Sequence, residues 1–134
     1  MMPAVFEGYL PYLGHRTYYR VVGDLEESLA SGRVPLVTLH GGPGSTHNYM
    51  ELLDCVADDG RAIVSYDQIG CGKSYLEGHP ELWDVETWLG ELEALVAWLN
   101  LRRFHLLGQS WGGMLALTYL TRHVATVGAD RGAC

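Results

Sequence analysis

The feature that most constrains the fold of this chain is a series of three short apolar segments, each of which stops at a glycine-rich turn. They are VPLVTLH (34–40), AIVSYD (62–67) and FHLLG (104–108). Continuous apolar runs of this length are typical of strands that are buried on both faces of a parallel sheet. The segments between them have helical periodicity, and strands that alternate with helices imply a parallel sheet with helices on both faces. The sequence therefore predicts an α/β fold.

The remaining segments can be assigned from their residue patterns. VFEGYLPYLGHRTYYRVVGD (5–24) predicts two strands joined by a turn at Gly14, and the polar LEESLASGR (25–33) predicts a connecting loop. WGGMLALTYL (111–120) predicts a helix that follows the third apolar strand directly. Apolar residues at helical spacing predict two further helices. The first starts near Ser45 or Thr46, either of which could cap it, and its apolar stripe is Tyr49, Leu52, Leu53 and Val56. The second starts at Asp84, and its apolar stripe is Val85, Trp88, Leu89, Leu92, Leu95, Val96 and Leu99. The acidic residues Glu86, Glu91 and Glu93 lie off this second stripe.

The segment GQSWGG (108–113) predicts a catalytic serine at Ser110. A chain that passes from strand to helix in so few residues holds the serine in a strained conformation at the tip of the turn, and larger side chains at Gly108 or Gly112 would clash across it. The hydroxyl is then exposed at a helix N-terminus, where the helix dipole favours developing negative charge. We therefore interpret Ser110 as a nucleophile.

The segment HGGPG (40–44) ends the first apolar strand and predicts an oxyanion loop. Acyl transfer needs amide groups aimed at the oxyanion, and such a loop provides one of them while the residue after the nucleophile provides the other. Pro43 has no N–H group and cannot donate. The candidate donors are therefore Gly41, Gly42 or Gly44, together with Trp111.

The segment DQIGCGKS (67–74) ends in GKS and superficially matches a phosphate-binding loop. In that motif a glycine stands at the position that Asp67 occupies here, and a helix follows the serine. Gly78 and Pro80 instead interrupt the residues after Ser74. This mismatch argues against nucleotide binding.

Charge and composition exclude several other classes of function. The formal net charge of −7 disfavours nucleic acid or an anionic membrane surface as a partner. We expect no signal peptide, because the first residues lack a basic region followed by an apolar region. We expect no membrane span, because no apolar run has the length needed to cross a bilayer. Cys55, Cys71 and Cys134 lack the spacing of a metal site, and free thiols are typical of a reducing cytoplasm. We therefore expect a cytoplasmic protein with no bound metal.

Taken together, HGGPG, YDQIGCGKS and LLGQSWGGMLAL resemble the proline iminopeptidases (prolyl aminopeptidases) of the α/β hydrolase superfamily. The resemblance extends from about Glu7 to about Leu120. It implies a cytoplasmic serine peptidase without a cofactor, which releases an N-terminal residue, often proline, from short peptides. Within this resemblance Ser110 is the nucleophile, and the amides of Gly42 and Trp111 form the oxyanion hole. An amino-acid amidase is a close alternative, whereas an epoxide- or halide-processing relative would have aspartate in place of Ser110.

The family places the triad aspartate and histidine well beyond the nucleophile, after further strands and a helical cap. We therefore expect residues 1–134 to be the N-terminal half of a hydrolase core, truncated after the nucleophile helix and inactive alone, with an atypical tail over 123–134. A truncated sheet would expose one side of the strand before Ser110. The alternative of a different class is a non-catalytic fragment.

Six histidines could in principle replace the missing base. His123 lies about 20 Å from Ser110 along a helix, which excludes it. We expect His105 to pack between sheet and helix, and His47 and His79 to be exposed. Asp67 and His40 end neighbouring strands and could align with Ser110 as a makeshift triad, but bracing the two glycine loops is the favoured role for this pair.

Overall fold

The computed structural model describes residues 4–42 and 44–123, so Pro43, Cys134 and residues 124–134 of the tail lie outside the described residues. One five-stranded sheet with the order β1-β2-β4-β3-β5 organises the chain. Strands β3, β4 and β5 are parallel to one another, and the hairpin β1–β2 joins β4 in antiparallel orientation. The predicted α/β fold and hairpin are confirmed. The strands are β1 (Val5–Tyr12), β2 (His15–Val22), β3 (Leu36–Leu39), β4 (Ile63–Tyr66) and β5 (His105–Gly108).

Three α-helices lie within the described residues: α1 (Leu25–Ala30) between β2 and β3, α2 (Val85–Trp98) between β4 and β5, and α3 (Trp111–Arg122) after β5. The predicted helices α2 and α3 are confirmed, and the Asp84 carboxylate caps α2 by accepting a hydrogen bond from the Thr87 amide. The prediction of a loop at 25–33 is wrong, because α1 forms there. Asp24 caps this helix by accepting a hydrogen bond from the Glu27 amide at 2.9 Å, and the buried Ser28 anchors it.

The segment after the HGGPG loop is a 3₁₀ helix (Asn48–Asp59) rather than the predicted α-helix. Neither Ser45 nor Thr46 caps it, since its first flanking residue is His47 and no side chain there forms a cap. The predicted apolar stripe is also wrong: Leu52 is 84% exposed, and the residues that are buried are Met50 and Ala57. Two further single 3₁₀ turns are Gly72–Ser74 and Pro80–Leu82.

The two faces of the sheet are covered by different elements. Neighbouring residues of one strand point to opposite faces, and accordingly Val64 belongs to a large cluster with α2 and α3 while Ile63 packs with Ala57 of the 3₁₀ helix. Helix α2 contributes the buried side chains of Leu89, Leu92 and Leu95 to the large cluster. Helical segments therefore lie on both faces, as predicted.

Strand β5 forms an edge of the sheet, and among the described strands it pairs only with β3. The prediction that FHLLG is buried on both faces is therefore wrong: Leu107 is 38% exposed. His105 is also exposed, which corrects its predicted packing between sheet and helix. A continuous apolar run does not reveal how many neighbours its strand has.

The prediction that the acidic residues of α2 lie off its apolar stripe is wrong for Glu91. Its side chain is fully buried and accepts hydrogen bonds from the Ile69 amide, at 3.0 Å and 2.8 Å to its two oxygens, and from the Thr17 hydroxyl. Burial raises the pKa of this carboxyl to about 8, against the opposing effect of these hydrogen bonds. Glu91 thus joins α2, the hairpin and the turn after β4.

Candidate active site

Ser110 lies at the tip of a strained turn between β5 and α3. Its backbone has φ 56° and ψ −117°, a conformation that residues with a side chain rarely adopt, and its side chain is exposed. A Cβ atom on Gly108 would overlap the Gly112 carbonyl, and one on Gly112 would overlap the Leu39 carbonyl of β3. The predicted reason for the glycines, close approach across the turn, is therefore confirmed for Gly108, whereas Gly112 is required by contact with the neighbouring strand β3.

The HGGPG loop lies directly against this turn. A Cβ atom built on Gly41 would lie 3.4 Å from Cβ of Ser110 and 2.7 Å from Oε1 of Gln109. Tyr49 joins the two segments, because its hydroxyl accepts a hydrogen bond from the Gly41 amide at 2.6 Å and donates one to Gln109 Oε1 at 2.9 Å. The end of β3 and the start of α3 are thus fixed to each other.

These contacts reduce the number of candidate oxyanion donors. The Gly41 amide is already used by Tyr49, and the Gly44 amide is directed at the Cys71 thiol, whose pKa burial raises to about 11. The Gly42 amide, at φ 122°, and the Trp111 amide, at the first position of α3, donate to none of the residues that the structure describes. The remaining pair is therefore the predicted one, Gly42 and Trp111.

His40 is fully buried and braces the loops. Its Nε2 accepts a hydrogen bond from the Gln68 amide at 3.0 Å, so its Nδ1 is the donor to the Gly41 carbonyl at 2.8 Å. Burial lowers the pKa of this imidazole. Both ring nitrogens are occupied, and His40 therefore has no lone pair with which to accept a proton from Ser110.

Gln68 links all three glycine-rich segments. Its side-chain amide donates to the His40 carbonyl at 3.0 Å, and its Oε1 accepts from the indole N–H of Trp111 at 3.0 Å. A single side chain therefore fixes the residue that follows Ser110 relative to the end of β3.

Asp67 pairs with His47 instead of His40. Its Oδ1 accepts from both the backbone amide and Nδ1 of His47, each at 2.8 Å, and its Oδ2 accepts from the Lys73 amide at 3.0 Å. His47 is 2% exposed, so its predicted exposure is wrong. The makeshift triad of Asp67, His40 and Ser110 does not form, and the alternative, in which Asp67 and His40 brace the loops, is the arrangement observed.

The GCGKS segment does not form a phosphate cradle. The Lys73 amide donates to Asp67 and the Ser74 hydroxyl donates to the Asp67 carbonyl at 2.6 Å, so these donors are used within the loop. The Lys73 ammonium lies over the Tyr18 ring, 4.6 Å from its centroid. Within residues 4–42 and 44–123, no group of three or more acidic, histidine or cysteine side chains could hold a metal ion.

No histidine forms a hydrogen bond with Ser110 in the described part of the chain. His123 ends α3 and packs on Tyr119, and His15 and His79 contact each other at a ring separation of 4.8 Å. His105 points outward from the edge strand. The described residues therefore present an exposed serine hydroxyl beside the amides of Gly42 and Trp111, but no histidine in a position to act on that hydroxyl.

Sequence reasoning missed three residues of this site: Tyr49, Gln68 and His47. Gln68 and His47 stand inside or beside the glycine motifs, and this proximity was the available signal. Tyr49 was instead counted in a helical stripe that the structure does not contain. Because each acts through hydrogen bonds to segments distant in sequence, no local spacing indicates its role. None of the described helices is long and apolar enough to cross a membrane.

Comparison with known proteins extends these observations. A sequence model described as the alpha/beta hydrolase fold matches residues 34–129. The proline iminopeptidase of Clostridioides difficile is 57% identical over 115 residues, which cover 86% of this chain and 38% of that protein. The proline iminopeptidase of Lactobacillus crispatus is 58% identical over 118 residues, which cover 87% of this chain and 39% of that protein. The chain thus spans about two fifths of the length of these relatives.

Solved structures give the same result. The crystal structure of VinJ superposes with a TM-score of 0.80 at 41% identity, covering 90% of this chain and 40% of VinJ. The crystal structure of the proline iminopeptidase from Mycobacterium smegmatis gives a TM-score of 0.76 at 35% identity, covering 87% of this chain and 40% of that protein. An epoxide hydrolase from Vigna radiata, at 19% identity and a TM-score of 0.72, shares the fold alone.

Proposed function

Because the chain belongs to the α/β hydrolase fold family, we propose that it provides the nucleophile of a serine hydrolase, with Ser110 as the attacking residue. The observation that carries this proposal is the conformation of Ser110, φ 56° at an exposed turn. Strain of this kind persists only where surrounding contacts enforce it. Here Gly108 and Gly112 let the backbone around Ser110 pack tightly on itself and on β3, and this packing holds the strained conformation.

The proposed reaction is acyl transfer in two steps. Ser110 Oγ attacks the substrate carbonyl, and the C–N bond breaks as the proton of the serine passes through a base to the leaving amine. Water then releases the acyl group. The amides of Gly42 and Trp111 stabilise the oxyanion in both steps, and their freedom from other hydrogen bonds supports this role.

We propose that the general base and its carboxylate partner lie in the part of the relatives that these 134 residues do not match. The residues 1–134 then represent the N-terminal half of a hydrolase core. Loss of the base from such a triad costs on the order of 10⁶-fold in turnover. We therefore expect the 134-residue chain by itself to be nearly inactive.

The names of the relatives indicate the substrate. Because they are proline iminopeptidases, we propose peptides or amino-acid amides with an N-terminal proline as substrates, cleaved by water without a cofactor. We further propose a cytoplasmic location, because exposed Cys55 carries a free thiol and such thiols persist in reducing compartments.

A chimaeric enzyme tests the proposal. Residues 1–120 of this chain are joined to the C-terminal portion of the Clostridioides difficile relative, and hydrolysis of a chromogenic prolyl amide is measured. We expect turnover that Ser110→Ala abolishes, while Ser31→Ala, a serine beyond the end of α1, leaves it unchanged. A folded chimaera without turnover would favour the alternative of a non-catalytic chain.

A further inference from the structure

A cleft of about 440 Å³ lies beside the hairpin, at the carboxyl ends of the parallel strands, where Ser110 also lies. Strand β2 runs antiparallel to β4, so the start of β2 lies at the carboxyl end of β4. The cleft is lined by His15 and Arg16 of β2 and by Lys73 and the residues after it, namely Ser74, Tyr75 and Leu76, together with Gly14. We refer to it as the cationic cleft.

The cations of this cleft are only weakly compensated. The Arg16 guanidinium lies 4.3 Å from the centroid of the Tyr9 ring and has no carboxylate partner among the described residues. Lys73 Nζ is 4.0 Å from Glu7 Oε1, and both side chains are 56% exposed, so solvent screens this pair. The chain has nine Lys and Arg against 16 Asp and Glu. Because two of these nine cations line one cleft, the cleft is locally positive on a chain whose net charge is negative.

A second cleft of about 360 Å³ adjoins the cationic cleft, and we refer to the two together as the groove. The two clefts share Tyr75 and Leu76, and Trp83 lines the second one. Trp83 also reaches the oxyanion loop, because a Cβ atom on Gly44 would lie 3.7 Å from its ring. The exposed fractions of Tyr75 and Trp83 are 67% and 44%, which is unusual for large aromatic side chains in a groove that holds no partner.

The position of Trp83 is fixed from behind. Its ring packs edge-on against Trp88 at 5.3 Å, and Trp88 packs in the same way against Trp111 at 5.4 Å. Trp88 also donates its indole N–H to the Ile69 carbonyl at 3.2 Å. Trp83 is therefore held in place by a row of aromatic rings that runs through the buried Trp88 to Trp111, the residue following Ser110.

We propose that this groove binds the C-terminal portion of a short peptide substrate, with Arg16 and Lys73 holding its free carboxylate. The inference rests on the proposed function, because it takes the scissile bond to lie at Ser110. Strand β2 is three strands from β5, which corresponds to about 14 Å at about 4.8 Å per strand. An extended chain covers that distance in about four residues. Because the N-terminal proline lies on the acyl side of the scissile bond, these four residues follow it, and the site therefore favours peptides of about five residues over longer chains and over amides.

Calorimetric titration of the 134-residue chain tests this inference without turnover. The probes are prolyl-tetraalanine with a free carboxylate and the same peptide with a C-terminal amide. We expect the carboxylate form to bind at least about fivefold more tightly, because a charge-assisted hydrogen bond contributes more than a neutral one. Arg16→Gln and Lys73→Gln should each reduce this preference, and the exposed Arg102→Gln should preserve it.

Equal binding of the two peptides, or no binding of either, would overturn the inference. So would an equal loss of preference in Arg102→Gln, because the effect would then reflect net charge alone. The proposed function fails separately, through an inactive chimaera. A carboxylate preference in a chain whose chimaera is inactive would leave the groove established as a peptide site and refute only the hydrolase activity.

Discussion

Glu91 makes the stability of this protein depend on pH in a direction opposite to that of an ordinary carboxylate. The pKa of its buried carboxyl is about 8, above the 4.5 expected in the unfolded chain. Between these two values the folded state holds one proton more than the unfolded state, so the free energy of unfolding falls as pH rises. The stabilisation is complete below about pH 4.5 and is lost as pH rises through about 8.

The perturbation that isolates this effect is Glu91→Gln, which keeps the shape and an acceptor for the Ile69 amide but cannot ionise. One pH unit within the window corresponds to about 1.4 kcal/mol. From pH 5.5 to 7.5 we expect the stability of the variant to gain roughly 2–3 kcal/mol relative to the wild type. Buried His40, whose pKa is lowered, contributes with the opposite sign, but its contribution is the same in both proteins.

Urea unfolding followed by tryptophan fluorescence at the two pH values measures this difference. Glu26→Gln, an exposed position on α1, is the matched control and should show a constant difference from wild type. A constant difference for Glu91→Gln, or a gain by the wild type at pH 7.5, would refute the reasoning. It would mean that the hydrogen bonds from Ile69 and Thr17 keep Glu91 ionised in the folded state.

Three further substitutions test the packing of the site and the caps. Gly112→Ala should destabilise the protein by several kcal/mol, despite the higher helix propensity of alanine, because its Cβ overlaps the Leu39 carbonyl; urea unfolding and loss of chimaera activity measure this. Gly113→Ala, whose Cβ comes no closer than 3.5 Å to the neighbouring turn, should instead stabilise by up to about 1 kcal/mol, and comparable losses at both positions would contradict the account. Asp84→Ala should cost about 1 kcal/mol through loss of the cap on the Thr87 amide, and a cost that persists in Asp84→Asn would show that the cap is not the cause.

The sequence predicted the parallel strands, the hairpin and the nucleophile turn because each depends on local pattern. An apolar run that ends at glycine identifies a strand, and Gly108 before Ser110 follows from the geometry of a single turn, whereas Gly112 is required by the Leu39 carbonyl of β3. Helix α1 was missed although Asp24 and Glu27 have the spacing of a cap, because the segment buries little apolar surface.

Other errors arose where a tertiary contact decides. Glu91 lies three residues after Trp88 and four before Leu95, so it stands on the buried stripe, but a carboxyl is ordinarily assigned to solvent. His47 is buried because Asp67, twenty residues away in sequence, accepts its hydrogen bonds. The edge position of β5 among the described strands was expected, although the apolar run alone does not specify its place in the strand order. The strand-to-helix turn at Ser110 and the bracing role of Asp67 and His40 were thus predictable, whereas the parts that Tyr49, Gln68 and His47 play in that network were not.

The central claim is that Ser110 forms a covalent bond with the substrate acyl group. Its most direct test is mass spectrometry of the chimaera after treatment with a prolyl phosphonate ester, which traps an activated serine, followed by sequencing of the modified peptide. The account predicts a single adduct on Ser110, absent in Ser110→Ala. An adduct on another residue, or hydrolysis of prolyl amides by a chimaera whose Ser110 remains unmodified, would contradict it.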